Sequence, residues 1–295
     1  MTEAVPCRVC GSEATSRRFP RSDIPVRHCN ECGVDFRPGE VTKTDLEKLY
    51  DKDYYLNTWP GSLGKFFEDF DPDKNHKTKF FKKQLSEFAG ILGGKGKLLD
   101  VGCANGVFPW IAEQEGWQAE GVEISPFAVA WGRDQFGVTI HQGDMNVIDP
   151  DEQYDLITFW DTLEHLPDPA SSLRRAYDRL KPGGIVAVLT PDTHSLVNKL
   201  VHGAYHLFPK KAGGLLKKLY HEDHLTFFNR NALCLALVEE GFFIHWIITC
   251  DEDPRDTETS GLAVVGVYLI HFAASIIQRR HELLVWARKP KEGPP

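Results

Sequence analysis

An alternating α/β chain built on a parallel sheet, with a small cysteine-bearing segment in front of it, is the architecture this sequence predicts. Three observations predict it. From Lys97 onward, short apolar runs alternate with helix-length stretches that carry their own start and stop residues. Residues 1 to about 42 hold four of the seven cysteines and many arginines, with no helical periodicity. The 295-residue length and 42% hydrophobic content suffice for a full core.

Taken in order, the cysteines come first. Cys7, Cys10 and Gly11 form one CxxCG unit, and Cys29, Cys32 and Gly33 form a second. Two sulfurs three positions apart can take two corners of a tetrahedron, and the glycine permits the tight turn that aims amides at the thiolates. The pattern predicts a structural zinc ribbon over residues 1–42, with Cys7, Cys10, Cys29 and Cys32 as ligands. Thr44-Asp45 ahead of LEKLYDKDYY reads as a capped helix start. Residues 76–92 place Phe81, Leu85, Phe88 and Leu92 on one helical stripe, stopped by Gly93-Gly94.

Strands are expected at LLDVG, AEGVEI, VTIHQG, YDLITFW and GIVAVLT, with Ser125-Pro126 and Pro169 opening two of the helices between them. Strands spaced by helices give a parallel sheet covered on both faces. Residues 191–230 read as a lid-like insertion of short helices and loops, rich in lysine. Asn229 or Asn231 then caps a helix, followed by the strands FFIHWIIT and ELLVWARK, with an acidic solvated loop at 251–260. The apolar stretch Gly261–Ile277 spans about 25 Å as a helix, short of a bilayer core of about 30 Å. It is expected to be a buried helix.

Charge and targeting signals bound the function. The net charge of −8 argues against a main partner with a phosphate backbone, although Arg8, Arg17, Arg18, Arg21, Arg27 and Arg37 make the ribbon locally basic. The first residues lack the basic-then-apolar run of a secretory signal, so a reducing cytoplasmic setting is expected. The lysine-bearing amphipathic insertion allows peripheral membrane contact. Nothing in the sequence indicates the oligomeric state.

The glycine-rich turn Gly102-Cys103-Ala104-Asn105-Gly106 joins the first sheet strand to a helix, and Glu123 ends the second strand. Such a turn admits close backbone approach by a ligand, and the carboxylate can accept from both hydroxyls of a ribose. A nicotinamide dinucleotide would ask for the same features. Asp100-Val-Gly102-x-Ala104-x-Gly106, Glu123, Gly143-Asp144-Met145, Asp155-Leu-Ile-Thr-Phe-Trp160 with Leu163-Glu164-His165-Leu166, and Leu180-Lys-Pro-Gly-Gly together resemble class I S-adenosylmethionine-dependent methyltransferases. The likeness is tight over about 80–190 and is nearest the branch holding ubiquinone-pathway, sugar and secondary-metabolite methyltransferases.

That resemblance implies a seven-stranded Rossmann-like sheet of order 3-2-1-4-5-7-6, the last strand antiparallel, over residues 43–295. It implies that Gly102, Ala104 and Gly106 pass under the methionine part of S-adenosylmethionine while Asp100 organises the loop and the amino group. Glu123 would hold the ribose, with Ile124 against the adenine, Asp144 on the adenine amino group and Met145 beside the ring. Trp160 or Asp161 would border the methionyl end. The middle glycine of the family loop is Ala104 here.

An acceptor hydroxyl or amine loses a proton on methylation, so a base near neutral pKa helps. His165 follows the fourth strand at the carboxyl edge of the sheet, where ligands bind. It reads as that base; Asp161, Glu164 and His165 alternatively form a divalent metal site, or the group only caps the following loop. His221, Glu222, Asp223 and His224 are a second cluster able to hold metal, bracket an acceptor hydroxyl, or serve as a hinge, and His224 joins Glu164 and His165 as a catalytic candidate. The function expected is methyl transfer to a small acceptor, a hydroxyl of a sugar, isoprenoid or secondary metabolite, which a lipid could carry. The competing expectation is a zinc-ribbon module that binds RNA or protein, with the methyltransferase fold as adaptor or as modifier of that macromolecule.

Overall fold

The computed structural model describes residues 5–58, 76–250 and 262–291; the acidic loop expected at 251–260 lies outside them. Seven strands form the main sheet: β4 (Lys97–Val101), β5 (Gln118–Glu123), β6 (Thr139–Gln142), β7 (Tyr154–Trp160), β8 (Leu180–Pro191), β10 (Phe243–Cys250) and β11 (Glu282–Arg288). Their spatial order is β6-β5-β4-β7-β8-β11-β10. Numbered within the sheet this is 3-2-1-4-5-7-6, as the motifs implied. β11 alone runs antiparallel, against both β8 and β10.

Alternation along the strands divides the core. Leu98, Leu156, Ile185, Ala187, Leu284 and Trp286 join one cluster. Leu99, Val101, Ile157, Phe159, Val186, Val188, Leu283 and Val285 join the other. Successive strand side chains point to opposite faces, so a sheet buried on both sides reads as continuous apolar runs.

The first face is covered by α2 (His76–Leu92), α3 (Val107–Gln114) and α4 (Pro126–Phe136). The stripe of α2 is spent here, with Phe81, Leu85 and Phe88 buried, and Gly93 and Gly94 end the helix at φ +81° and +157°. Ser125 caps α4 by accepting from the Ala128 amide. Among the described residues, the helices on the second face are α5 (Pro169–Arg179) and α8 (Arg230–Glu239). The β6–β7 connection carries just the 3-10 turn Met145–Val147, and ribbon residues Cys7, Val9, Val34 and Phe36 share the core of that face.

The ribbon is held by β1 (Thr15–Arg17), β2 (Arg27–Cys29) and β3 (Asp35–Phe36), which form a second sheet together with β9 (Thr226–Phe227). Asp35 pairs with Phe227 and Phe36 with Thr226. Asn229 serves both parts at once: its Oδ1 caps α8 through the Ala232 amide, and its Nδ2 donates to the Gly33 carbonyl at 2.7 Å.

Two local expectations differ from the structure. The first helix, α1 (Lys43–Leu49), starts two residues earlier than Thr44-Asp45 suggests: Thr42 is the cap and Asp45 closes a reciprocal capping box on it. The apolar helix α9 (Leu262–Ile276) is not buried along its described side chains. Ala274 is enclosed, but Leu269, Phe272 and Ile276 are 64–67% exposed. Both faces of the sheet are already covered, so α9 packs at the periphery against α6 (Leu196–Leu207). Among the described residues, no helix is long and apolar enough to cross a membrane.

Phe36 is fully buried where the ribbon meets the sheet core. Phe36→Ala is expected to cost about 3–5 kcal/mol in urea unfolding. Because the ribbon and the sheet share a core, tryptophan fluorescence and circular dichroism should still report one coincident transition.

Candidate functional site

A cavity of about 1100 Å³ opens at the carboxyl ends of β4, β5 and β7. Asp100, Gly102, Ala104, Glu123, Ile124, Asp144, Met145, Trp160, Asp161, Glu164, His165 and His224 all line it. Gly106 does not. It sits at the N-cap of α3 with φ +76°, where a Cβ would meet Ile140 and Val138 at 2.8 Å.

The loop after β4 is shaped by its backbone. Gly102 has φ +72°, and a Cβ there would lie 2.4 Å from the Thr162 methyl. Ala104 adopts φ +48°, a left-handed conformation unusual for a residue with a Cβ. Its amide donates to Glu123 Oε2 at 2.9 Å, and the Ser125 amide donates to Oε1 at 2.8 Å. These bonds tie the first loop to the end of the second strand. Burial nevertheless raises the Glu123 carboxyl above its ordinary value. Asp100 is buried and accepts from the Thr158 hydroxyl at 2.7 Å. Burial chiefly pushes its carboxyl up to about 8.

Further along the rim, Asp144 accepts from the Asn146 amide at 2.8 Å beside the buried Met145. Trp160 ends β7 and packs edge-on against Phe80 and Phe108. Asp161 follows it with φ +49°.

Two loops then bring the ionisable groups together. The 3-10 turn Leu163–His165 and the His221–His224 loop are joined where the Leu225 amide donates to the Glu164 carbonyl at 2.9 Å. Ligating atoms of Glu164, His165 and His224 all fall within 4.8 Å of one another. His165 and His224 meet edge to face, with ring centroids 4.6 Å apart. The His165 Nδ1 lies 3.1 Å from the Asp223 carbonyl and 2.8 Å from the Tyr50 hydroxyl. Donating Nδ1–H to that carbonyl leaves Nε2 as the basic atom.

Burial lowers the pKa of His165 and takes His224 down to about 3, so both imidazoles are neutral at pH 7. Glu164 is 1% exposed, and among the described residues neither of its oxygens has a hydrogen-bond partner. Burial and the neighbouring Asp161 and Asp223 raise it well above the carboxylate range. Asp223 shifts the other way: burial opposes ionisation, but His165, His224 and His221 outweigh it and its carboxyl falls below the ordinary value.

The aromatic wall was not foreseen. Tyr50, Tyr54 and Tyr55 line the cavity from the segment after α1. Tyr54 donates to Asp223 at 3.1 Å, and Tyr55 reaches Glu123 at 3.4 Å. Tyr50 and Tyr54 are four apart, one helical turn. That spacing was the only sequence signal, and an ordinary core stripe gives the same one.

Ribbon arginines hold both loops from behind. Arg37 donates to the Tyr220 and His221 carbonyls at 2.7 and 2.9 Å, and its amide donates to the Leu225 carbonyl. Arg8 donates to the Pro167 carbonyl at 2.6 Å. The four ribbon thiols converge as well, with Cys7–Cys32 and Cys10–Cys29 sulfur separations of 3.6 Å. Sulfurs placed tetrahedrally at about 2.3 Å from a zinc ion would be roughly 3.8 Å apart, so the quartet has metal-site dimensions without being disulfide-bonded.

Comparison with known proteins places this geometry. The model of a family described as a methyltransferase domain matches residues 74–245, more than half of the chain. The chain is 37% identical over 109 residues to the ubiquinone biosynthesis O-methyltransferase of Pseudomonas savastanoi pv. phaseolicola, covering 35% of this chain and 46% of that protein. It is 34% identical over 113 residues to the same-named protein of Pseudomonas aeruginosa strain LESB58, covering 36% and 48%. It thus spans about half the length of these curated relatives. Among solved structures it is similar to magnesium protoporphyrin IX methyltransferase from Synechocystis PCC 6803 with bound SAH, at 14% identity and TM-score 0.53, covering 84% of this chain and 100% of that chain. It is also similar to the cyclase SpnF, at 17% identity and TM-score 0.54, covering 86% and 98%. At such identities these two likenesses show the fold alone. With its seven-stranded sheet, strand order and matched domain, the chain belongs to the methyltransferase domain family of the class I fold.

Proposed function

We propose that this protein transfers a methyl group from S-adenosylmethionine to an oxygen of a small-molecule acceptor. The observation that carries the reading is that one cavity gathers the glycine turn, the buried acids of β4 and β5, and the Glu164–His165–His224 cluster. The curated relatives named as O-methyltransferases support oxygen as the atom methylated. The acceptor expected is a sugar, isoprenoid or secondary-metabolite hydroxyl.

The residues fit the cofactor. Gly102 brings bare backbone to the cavity wall, with Thr162 packed too close to it for a Cβ, and the methionine part would lie along that wall. Glu123 would hold the ribose with Ile124 against the adenine, Asp144 and Met145 would border the adenine, and Asp100 would face the amino group. Trp160 and Asp161 would flank the methionyl end. When bound, the cofactor supplies an electrophilic methyl on a sulfonium.

The protein's part is to orient the acceptor in line, exclude water and take a proton; positioning of this kind is worth roughly 7–11 kcal/mol. Tyr50, Tyr54 and Trp160 wall the cavity that His165 also lines, and Nε2 of His165 would accept the acceptor's proton. A second reading is favoured by the unpartnered, buried oxygens of Glu164. Glu164, His165 and His224 offer one carboxylate and two neutral imidazoles, a donor set that suits a divalent cation, which would acidify the acceptor hydroxyl. The ribbon quartet is proposed to hold one structural zinc, and residues 1–42 and 43–295 are proposed as ribbon and catalytic domain, with 191–230 over the cavity.

Three measurements test these roles. Asp100, near pKa 8, is mostly protonated at pH 7; a nearby ligand ammonium lowers that value, so binding should release a proton below pH 8 and cease to do so above it. Titration calorimetry of S-adenosylhomocysteine in buffers of different ionisation enthalpy should show the release. Gly102→Trp should abolish the binding itself, and heats independent of buffer would refute the Asp100 assignment.

His165→Ala should lower kcat at least about a hundredfold with cofactor affinity nearly unchanged. Loss of turnover on chelation, restored by Mg²⁺, would favour the cation over the simple base. Elemental analysis should find one zinc per chain, absent from Cys29→Ser, which should unfold at a lower temperature.

A further inference from the structure

We propose that the face formed by α6, α7 (Pro209–Leu219) and α9 docks on an anionic lipid bilayer. The first observation is an apolar excess where soluble surface is expected. On α6, Leu200 and Leu207 stand seven residues apart on one helical face and are 52% and 74% exposed, and Phe208 at the turn is 60% exposed. The inward face of the same helix is accounted for by Asn198 and Tyr205. On α9, Leu269, Phe272 and Ile276 repeat at steps of three and four, again a single face, with Ala274 turned inward. These helices are neighbours: α9 packs on α6, and the Leu196 amide donates to the Arg279 carbonyl at 2.8 Å. Exposed large apolar side chains gathered on neighbouring helices mark an interaction site.

The second observation selects the occupant. Residues 196–219 contain Lys199, Lys210, Lys211, Lys217 and Lys218 and no Asp or Glu, in a chain whose net charge is −8. A twofold dimer through this face would bring lysine against lysine, because such an interface presents the same patch from both partners. An anionic headgroup layer instead meets the exposed Lys199, Lys210 and Lys211, Lys217 being paired with Asp23 at 2.9 Å, while the leucines and phenylalanines enter the acyl boundary. Lys218 and Leu219 from α7 and His271 from α9 line the main cavity. Docking therefore sets the cavity mouth beside the lipid, where an acceptor dissolved in the bilayer can enter without crossing water.

Vesicle flotation of the full chain tests this independently of catalysis. Vesicles of phosphatidylcholine with phosphatidylglycerol should carry the protein and phosphatidylcholine vesicles should not, with binding weakened as salt rises. Leu207→Glu combined with Phe208→Glu should reduce binding by about tenfold or more, as should Lys210→Glu with Lys211→Glu. None of these four lines the cavity, so S-adenosylhomocysteine affinity should be unchanged, which checks that the variants fold. The proposal is overturned if anionic vesicles are not bound at low salt, or if Leu207→Glu with Phe208→Glu binds them as well as the parent. It is equally overturned if sedimentation shows a dimer that the same pair of substitutions dissociates.

Discussion

A two-residue strand pairing carries more of this structure than its size suggests. β3 of the ribbon and β9 share only Asp35–Phe227 and Phe36–Thr226, yet β9 lies directly after His224. Leu225, between them, bonds through its amide to Glu164 and through its carbonyl to Arg37. The ribbon, the turn after β7 and the histidine loop are thereby one hydrogen-bonded unit. Buried backbone groups must be paired, so none of the three can shift without leaving polar atoms stranded in a core. The surrounding side chains reinforce this: Asp35 accepts from Arg18, Tyr220 and the His28 ring, joining β3 to the end of α7.

This arrangement also explains the electrostatics of the cavity. Its ionisable groups sit in a low-dielectric setting, where charge survives only with a partner. Asp223 is held below its ordinary value by the histidines around it and by the Tyr54 hydroxyl that donates to it. Glu164, buried and next to Asp161 and Asp223, is pushed toward the protonated form instead. On the other side, burial raises both Asp100 and Glu123, and the Glu123 carboxylate adds to the rise at Asp100. Buried carboxyls of raised pKa on one wall and neutral imidazoles on the other would suit the positively charged cofactor proposed above better than an anion.

The sheet was legible because its signals are local and redundant. Strands such as β4, between Gly96 and Gly102, are short apolar runs with punctuating glycines, and caps such as Ser125 and Asn229 do in the structure what their position announces. The cavity lining was legible for a different reason. Ligand-binding turns follow strand ends, which brought in the glycine turn and Glu123, while Asp100, Asp144 and Trp160 were implied by the family resemblance. What escaped notice depends on distant parts of the chain. The tyrosines after α1 meet the cavity only through tertiary packing, and nothing in their spacing distinguishes a wall from a core. Exposure of α9 was hidden because a uniformly apolar helix has no polar face to mark its outside. The clamping by Arg8 and Arg37 was read only as basic character, since a guanidinium bound to carbonyls and one bound to solvent look alike in sequence.

Because β3 pairs with β9, the ribbon's sheet closes across some 190 residues of intervening chain. At a ribosomal pace of roughly 5–20 residues per second, about ten to forty seconds separate the emergence of the two partners. During that interval the cysteines are already outside, while Val34 and Phe36 still lack the core they will occupy. Metal capture by the nascent thiols would hold the hairpin in register through this delay. Vectorial synthesis in metal-starved cells would instead present an unclosed strand edge and bare apolar side chains to the quality-control machinery.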